Sequence, residues 1–482
     1  MQASPPQPLY QRLAAHYGEA IGKGALRAGS RMPSVRELMR RHEVSLSTAL
    51  QVLRVLEDQG CLQARPRVGY FVRSPGARPL DESPDPDLRE PLPAAADGRY
   101  AGINERISLL LDAGRRAPLR VDLGGATPGP ELFDIRAMNR DVAAVLRERP
   151  ELLAQGRALT GAQAEFQQAM ARRALDAGIR LSPHEVLATT GNTEAVHLAL
   201  SAVTRPGDVV AVESPTYYGL LQVIEAQGLT ALEIPCSHRT GISLEALELA
   251  IRTQPRLKAL VVMPDLQMPM GTLMPDQHKA ALVQLCREHD IAVVEDDSYR
   301  MLLDVAEPPR PAKAWDTTGH VVYCESFNKT LAPGLRQGWM NGGRWHERIS
   351  MIKLAQSRST PPLGQLLVAR WAASPSFGRH LQRMRAALRQ QRERAAQAIA
   401  SHFPAGTRLR LPPGGLNLWV ELPEGLSSSA LFDAALAQGI RVAPGSMFSN
   451  TGRYERFVRF GCTLAFTEEV EQAYATLGRL LK

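Results

Sequence analysis

From about residue 118 onward, short apolar segments alternate with stretches of helical periodicity, and this alternation limits the folds open to the chain. The apolar segments have the length and composition of buried strands; they are residues 186–190, 209–212, 259–263, 291–294 and 321–324. Strands that alternate with helices favour an α/β fold, with a mostly parallel sheet covered by helices on both faces. Ligands bind at the carboxyl edge of such a sheet, so the residues after these segments are candidates for a site.

A lysine, a hydroxyl and an arginine follow the last of these strands, where residues 326–336 read SFNKTLAPGLR. Burial lowers the pKa of an ammonium group, which gives a lysine at a strand end the neutral amine that Schiff-base chemistry needs. Ser326 and Arg336 flank Lys329 and can both reach one phosphate, the arginine in a bidentate manner. The alternative, a surface lysine beside a loop proline, explains neither the hydroxyl nor the arginine.

This segment resembles the lysine motif of fold-type I pyridoxal-phosphate enzymes, the aspartate aminotransferase superfamily. The resemblance covers about residues 118–482. It implies that Lys329 forms a Schiff base with pyridoxal 5'-phosphate (PLP) and that Ser326 and Arg336 bind the cofactor phosphate. It also implies a fold-type I PLP-dependent transferase domain with a small C-terminal α+β subdomain.

Three further residues match positions of that superfamily at the cofactor ring. Asp296 and Tyr299 have its Asp-x-x-Tyr spacing, which implies a carboxylate at the pyridine nitrogen and a hydroxyl at the phenolic oxygen. Tyr217 matches the aromatic residue that stacks on the ring. Taken singly, an acidic loop at a strand end or an ordinary loop tyrosine would explain each of them.

Two more positions concern anionic groups. Asn192 and Thr193 lie where a strand passes into a helix, and helix-start amides with these side chains form a phosphate cradle. Arg459 stands where the superfamily binds the α-carboxylate of its substrate. Strand-to-helix turns are frequent in α/β proteins, and alternating charges on an edge strand are the alternative for Arg459.

The amino-terminal segment is strongly basic. The chain carries a net charge of +8, and residues 1–73 hold eleven Lys and Arg against five Asp and Glu, a local charge of +6. A compact basic module indicates a polyanionic partner, and nucleic acid is the first candidate. The pattern predicts a helix over residues 9–28, two short helices that begin after Ser34 and Ser45, and a two-stranded wing over residues 61–72.

Residues 31–38 (RMPSVREL) and 69–72 (GYFV) make this module similar to the GntR family of bacterial regulators, over about residues 9–73. The resemblance implies a winged helix-turn-helix that binds double-stranded promoter DNA. The positions implied to face DNA are Arg36, Ser45, Ser47, Thr48, Arg67 and Gly69. Leu46 stands where many members have an arginine, and a winged helix used for protein contact is the alternative.

A proline-rich linker joins the two parts. We expect a DNA-binding domain over residues 1–73, a spacer and connecting helix over 74–117, and the PLP-binding domain over 118–482. Together they resemble the MocR-type subfamily of GntR regulators, which implies an aminotransferase-like domain used as a sensor and a head-to-tail, domain-swapped homodimer.

Two departures from the superfamily pattern bear on catalysis. Residues 264–271 read PDLQMPMG where many aminotransferases have Asn-Pro-Thr-Gly. Met268 cannot donate a hydrogen bond to the phenolic oxygen, so Gln267 or Asp265 would have to replace that donor. Residues 156–161 (GRALTG) lack the tyrosine that many relatives send to the partner's phosphate. Such losses impair rapid turnover more than cofactor binding, and they favour a sensor over an efficient enzyme.

The five cysteines are scattered and show no metal-binding spacing, which predicts reduced thiols and no bound metal. The sequence also shows no signal-peptide pattern and no membrane span, so we expect a cytoplasmic protein. Three functions are compatible with these patterns. The first is a PLP-dependent transcription regulator that senses an amine, an amino acid or PLP, with at most weak transaminase activity. The second is a working aminotransferase with an appended DNA-binding module, and the third is a DNA-binding dimer whose large domain is only a scaffold.

Overall fold

The chain forms two compact units in the computed structural model, which describes residues 8–22, 25–26, 29–65, 69–72, 80–83, 102–154 and 160–482. One unit contains the residues before 80, and the other contains nearly all the residues from 80 onward. None of the helices within these ranges combines the length and apolar character needed to cross a bilayer.

The amino-terminal unit consists of three helices and a β-hairpin: α1 (Leu9–Gly22), α2 (Val35–His42), α3 (Leu46–Asp58), β1 (Leu62–Arg65) and β2 (Gly69–Val72), with β1 and β2 antiparallel. The apolar face predicted for α3 is buried; it consists of Ala49, Val52, Leu53 and Leu56. Helix α1 is described from Leu9 to Gly22, and residues 25 and 26 lie in a bend, so the helix is shorter than the 9–28 that the sequence predicted. The arrangement is the predicted winged helix-turn-helix.

Serine side chains cap α2 and α3. The Ser34 hydroxyl accepts the N–H of Glu37 at 3.3 Å, and the Ser45 hydroxyl accepts the N–H of Thr48 at 3.2 Å. The carboxylate of Glu37 binds Arg41 at 3.4 Å. Both helix starts are therefore fixed by the serines.

The larger unit is built on an eight-stranded sheet with the order β4-β11-β10-β9-β8-β5-β6-β7. Its strands are β4 (Leu187–Thr189), β5 (Val209–Ser214), β6 (Thr230–Ser237), β7 (Gly241–Ile242), β8 (Leu257–Val262), β9 (Ala292–Asp296), β10 (Val321–Ser326) and β11 (Gly338–Asn341). The five strands from β6 through β5, β8 and β9 to β10 are parallel, while β4, β11 and β7 pair antiparallel. The predicted α/β fold is confirmed, and β6, β7 and β11 are strands that the sequence pattern did not predict.

Helices cover this sheet and extend to the carboxyl terminus. They are α4 (Ile103–Arg116), α5 (Ile135–Glu148), α6 (Thr160–Asp176), α7 (Asn192–Val203), α8 (Tyr218–Ala226), α9 (Leu244–Thr253), α10 (Asp276–Glu288), α11 (His346–Gln356), α12 (Pro362–Ala372), α13 (Pro375–His402), α14 (Ser428–Ala437) and α15 (Glu468–Leu480). A small four-stranded antiparallel sheet contains β12 (Arg408–Leu409), β13 (Asn417–Glu421), β16 (Phe457–Gly461) and β15 (Ala443–Pro444), in that order. A separate parallel pair joins β3 (Val121–Asp122) to β14 (Ile440–Arg441).

Helix α4, the predicted connecting helix, is fixed on the larger unit at its start. Ile103 and Ile107 are buried in the core of that unit. Its N-cap residue, Gly102, has no side chain to cap the helix, and the Glu225 carboxylate on α8 takes that role. The carboxylate accepts the N–H groups of Gly102 at 2.6 Å, Ile103 at 3.2 Å and Asn104 at 2.7 Å. A residue more than a hundred positions away thus determines where α4 begins.

Candidate cofactor and DNA-binding sites

A cavity of about 290 Å³ lies at the carboxyl edge of the large sheet. Residues just beyond the ends of β4, β5, β9 and β10 form much of its wall. The residues predicted to bind the cofactor all line it; they are Asn192, Thr193, Tyr217, Asp296, Tyr299, Ser326, Lys329 and Arg336. Parallel strands bring these distant sequence positions to one edge, as the sequence pattern predicted.

The Lys329 amine lies in the wall of the cavity and donates a hydrogen bond to the Ala126 carbonyl oxygen at 2.7 Å. The pKa of Lys329 is lowered to about 8, chiefly by burial and also by the positive charges of Arg459 and Arg336, against the opposing effect of Asp296. Roughly a tenth of this amine is therefore neutral at about pH 7, far more than in an ordinary lysine. A neutral amine is the form that attacks an aldehyde carbon.

Asp296 and Tyr299 follow β9, the neighbour of the strand that leads to Lys329. The Asp296 carboxylate accepts the N–H of Ser298 at 3.0 Å. Burial raises the pKa of Asp296, while the Ser298 hydrogen bonds and the charge of Lys329 oppose that rise. The Lys329 amine is 6.0 Å from the centre of the Tyr299 ring, and burial raises the pKa of the Tyr299 phenol. The phenol is thus a neutral hydrogen-bonding group.

The start of α7 provides an anion site. Gly191 precedes the helix with φ at +77°, and no side chain caps the helix. Both polar atoms of the Asn192 amide are buried without a partner. A Cβ atom on Gly191 would lie 2.7 Å from Asn328 Nδ2 and 3.3 Å from an Arg336 nitrogen, so both side chains lie directly over the glycine. Free amides, unpartnered polar atoms and a guanidinium suit a phosphate group.

Arg459 lies near the cavity without being part of its wall. It is on β16, between β13 and β15, so it is on a central strand rather than the edge strand considered from the sequence. Its guanidinium donates to the Gly124 carbonyl oxygen and lies 5.6 Å from the centre of the Phe448 ring. Arg459 Nε is buried without a partner. That free N–H is available to a carboxylate.

The expected replacement for the missing asparagine donor is not found. Met268 is buried, and its sulfur accepts the Asn417 amide at 3.5 Å. The Gln267 amide donates to the Pro215 carbonyl oxygen at 2.6 Å. Asp265 is held in a buried ion pair with Lys279, at 2.5 Å, and with Arg300, at 2.6 Å. The expectation that Gln267 or Asp265 compensates is therefore wrong, because both are committed to other partners.

Sequence reasoning missed several residues of the cavity wall, among them Ala126, Tyr218 and Asn328. Ala126 contributes a backbone carbonyl, for which a sequence carries no signal. Tyr218 follows the predicted Tyr217, and their ring centres are 4.8 Å apart, so the paired tyrosines were a usable signal. Asn328, which lies over Gly191, directly precedes Lys329. The residue range 155–159, where the superfamily tyrosine is missing, lies outside the described residues.

The candidate DNA-facing residues gather in part around the start of α3. The hydroxyl groups of Ser47 and Thr48 each lie 2.9 Å from that of Ser45, and Ser45 and Ser47 are exposed. Arg36 is exposed on α2, the helix before. Gly69 opens β2 with φ at +124°, and a Cβ atom there would be 3.3 Å from Arg31 Nε.

Arg67 lies outside the described residues. Exposed hydroxyl groups at a helix start are suited to DNA phosphates, and Arg36 adds a positive charge on the preceding helix.

Two family profiles match this chain, and together they define the class of protein. The profile of the family "Aminotransferase class I and II" matches residues 134–477, and that of "Bacterial regulatory proteins, gntR family" matches residues 9–72. The crystal structure of LysN, an α-aminoadipate aminotransferase of Thermus thermophilus complexed with N-(5'-phosphopyridoxyl)-L-leucine, is 30% identical. It covers 78% of this chain and 94% of its own, with a TM-score of 0.70. The large unit is thus a fold-type I aminotransferase-like domain.

Relatives that match nearly the whole chain define the family. The HTH-type transcriptional regulator YdcR of Escherichia coli K12 is 37% identical over 98% of this chain and 99% of its own. YjiR of the same organism, also an HTH-type transcriptional regulator, is 34% identical over 97% and 98%. The chain belongs to the family of GntR-type transcription regulators that carry an aminotransferase class I and II domain, the MocR type. PLP is the cofactor that this family implies, and the lysine, the anion site and the buried carboxylate fit it.

Proposed function

We propose that this protein is a PLP-dependent transcription regulator whose large domain senses an amine, an amino acid or PLP itself. The observation that supports it best is the cavity in which Lys329, Asp296 and the helix start at Gly191 meet, in a chain that begins with a GntR-type module. On this proposal the winged helices bind promoter DNA, and the state of the cavity sets how well they bind.

In this proposal, each of the predicted cofactor-binding residues has a defined role. Lys329 is the attachment point of PLP, because its lowered pKa leaves the amine free to react. Ser326, Arg336, Asn192 and Thr193 hold the phosphate at the start of α7. PLP, when bound, supplies an aldehyde that combines reversibly with amines and a ring that withdraws electrons.

The remaining residues set the environment of the ring. With PLP bound, Asp296 would place its carboxylate toward the ring nitrogen, Tyr299 would donate to the phenolic oxygen, and Tyr217 would pack on the ring face. Arg459 binds the carboxylate of an amino-acid ligand through its free Nε–H, which gives amino acids an advantage over simple amines.

A working aminotransferase is the second candidate. It is favoured by the complete set of Lys329, Asp296 and Arg459 and by a 2-aminoadipate transaminase of Thermus thermophilus that is 31% identical over 75% of this chain. Against it stands Met268, which leaves the phenolic oxygen without the donor that many aminotransferases use. We therefore propose weak transamination at most. We also propose a cytoplasmic, head-to-tail homodimer, which sedimentation would test.

The decisive experiment locates PLP on the chain. Full-length protein is incubated with PLP, reduced with borohydride, digested and analysed by mass spectrometry. We expect a pyridoxyl group on Lys329 and a visible absorption band before reduction. Lys329→Ala should lose both, whereas Lys258→Ala, which removes an exposed lysine, should keep them.

The same samples are tested with a DNA duplex selected from a random library by the full-length protein. Regulation by the cavity requires that PLP or an amino acid changes the DNA dissociation constant in the wild type but not in Lys329→Ala. An unmodified Lys329 would refute the proposal, and so would DNA binding that is insensitive to PLP and to a panel of amines and amino acids.

A further inference from the structure

Residues 80–83 belong to the predicted spacer, yet they are bound to the small sheet of the larger unit. Asp81 forms a parallel bridge with Arg408, and its carbonyl oxygen accepts the N–H of Leu409 at 3.1 Å. The Ser83 hydroxyl donates to a Glu421 oxygen at 2.6 Å, and Ser83 is only 7% exposed. We call residues 80–83 the linker strap. The strap begins eight positions after Val72, where the last strand of the DNA-binding unit ends.

Glu421 holds the strap and the strand β16 at the same time. One carboxylate oxygen accepts the Ser83 hydroxyl, and the other accepts a guanidinium N–H of Arg456 at 3.0 Å. Glu421 is 5% exposed, so these contacts are shielded from water and sensitive to geometry. Arg456 directly precedes β16, and its carbonyl oxygen accepts the N–H of Leu422 at 2.7 Å. Glu421 thus links the strap directly to the start of β16, beside the longer backbone route through β12 and β13.

The same strand carries Arg459 to the neighbourhood of the cavity. Arg459 lies three positions after Arg456, and it pairs with Trp419 on β13 and with Ala443 on β15. A strand hydrogen-bonded on both sides moves with its neighbours, so a displacement at Arg459 also displaces Arg456. Glu421 is on β13, the neighbour of β16, so such a displacement is carried to the carboxylate that holds Ser83.

We propose that the linker strap is the point at which a carboxylate bound at Arg459 acts on the DNA-binding unit, through β16, Glu421 and Ser83. This inference rests on the function proposed above, since it needs a ligand with a carboxylate in the cavity. The ligand acts by binding more tightly to one of two states, strap docked or strap released. A change in the strap can affect the DNA-binding unit because the strap begins only eight positions after Val72, the last residue of β2.

Two stable compounds test the role of the carboxylate. N-(5'-phosphopyridoxyl)-L-leucine carries it, and pyridoxamine 5'-phosphate lacks it. Each is bound to full-length protein, with binding followed by pyridoxyl fluorescence, and the dissociation constant for a library-selected duplex is measured. We expect the two complexes of the wild type to differ about fivefold or more in DNA affinity, the range of ordinary allosteric coupling.

Substitutions then test the route. Ser83→Ala and Glu421→Gln should bring the ratio of the two DNA affinities close to one, while Ser83→Thr, which keeps the hydroxyl, should preserve it. Glu424→Gln is the matched control, because it removes the same charge from an exposed glutamate three positions further on. Hydrogen exchange at the Leu409 amide should be faster in Ser83→Ala, which reports directly on undocking.

The outcomes separate the two proposals. Equal DNA affinity of the two wild-type complexes overturns the strap proposal and leaves the proposed function intact. Failure of both compounds to bind overturns the proposed function together with the strap. Coupling that survives in Ser83→Ala while the Leu409 amide is exposed also overturns the strap proposal, and Glu421→Gln provides the same test if Ser83→Ala does not fold.

Discussion

The chemistry of the cavity depends on the protonation state of the Lys329 side chain. Lys329 is surrounded by protein, with Arg459 and Arg336 close enough to disfavour its charged form and Asp296 opposing them. Burial is the largest of these effects. A lysine with its pKa lowered to about 8 is expected where an amine has to react, because its neutral fraction at physiological pH is much larger than that of an ordinary lysine.

The first prediction concerns the pH dependence of PLP attachment. Since only the neutral amine attacks the aldehyde, and the pKa of Lys329 is lowered to about 8, the attachment rate should rise with pH and level off above about 8. An ordinary lysine would show a rise that continues beyond about pH 10. Stopped-flow absorbance of apoprotein mixed with PLP between about pH 6.5 and 9.5 measures it. A rate still rising about tenfold per pH unit at the upper end of that range would contradict the burial argument.

A second prediction concerns Gly191. Alanine there would place a methyl group 2.7 Å from Asn328 Nδ2, at a backbone φ of +77° and ψ of −178° that is almost restricted to glycine and costs other residues about 1–3 kcal/mol. We expect Gly191→Ala to weaken PLP binding by roughly tenfold or more, as measured by titration of the visible band. Gly334→Ala is the control, because the space around that Cβ position is open. Equal PLP affinity of the two variants would exclude a phosphate at the start of α7.

Side chains that follow apolar strands were the predictable part of the site. Asp296 and Lys329 could be found because β9 and β10 are buried apolar runs whose ends are visible in the sequence. The Ala126 carbonyl and the partners of Gln267 could not be found. They depend on how loops fold back over the sheet, and sequence periodicity carries no information about that.

Among the helices, α4 depends most on a distant partner. Its start has a glycine at the N-cap, and the free N–H groups at a helix start require acceptors. The Glu225 carboxylate supplies them from α8, whose first turn contributes Tyr218 and Leu220 to the cavity wall. The apolar pattern of α4 predicted the helix, but the cap could not be predicted, because it comes from another helix.

A third prediction follows for that helix. Glu225→Ala removes the acceptor of three backbone N–H groups, so the first turn of α4 should lose about 1 kcal/mol of local stability. Amide hydrogen exchange of residues 103–106 should become roughly fivefold to tenfold faster. Glu245→Ala on α9, an exposed glutamate, is the matched control. Unchanged exchange in Glu225→Ala would mean that packing of Ile103 and Ile107 alone holds the helix.

The distribution of charge determines how strongly the binding of this protein to DNA depends on salt. Most of the net charge of +8 lies in residues 1–73, so phosphate contacts should dominate affinity. For three or more such contacts, raising monovalent salt from about 50 to about 200 mM should weaken DNA binding about fortyfold or more. Fluorescence anisotropy with a labelled duplex measures this fourth prediction. A dissociation constant that changes less than about threefold would favour the winged helix as a protein-binding module.

Domain order and fold were predictable, because local signals determine both. Capping serines and a buried helix face mark the winged helix, and alternating strands and helices mark the large sheet. The docking of the strap at residues 80–83 was not predictable, since its acidic residues and the prolines on either side of it indicate a free spacer. It depends on the Ser83 hydroxyl with its partner Glu421 and on the backbone bond from Leu409 to Asp81.

The order of the large sheet has a consequence for how the protein is made. Strand β4 ends at Thr189, but the strand it pairs with, β11, begins at Gly338. On the ribosome, the winged module has all its strands and helices once residue 72 has emerged, whereas β4 must wait for a partner synthesised much later. The nascent chain can therefore complete the winged helix-turn-helix well before the large sheet can form.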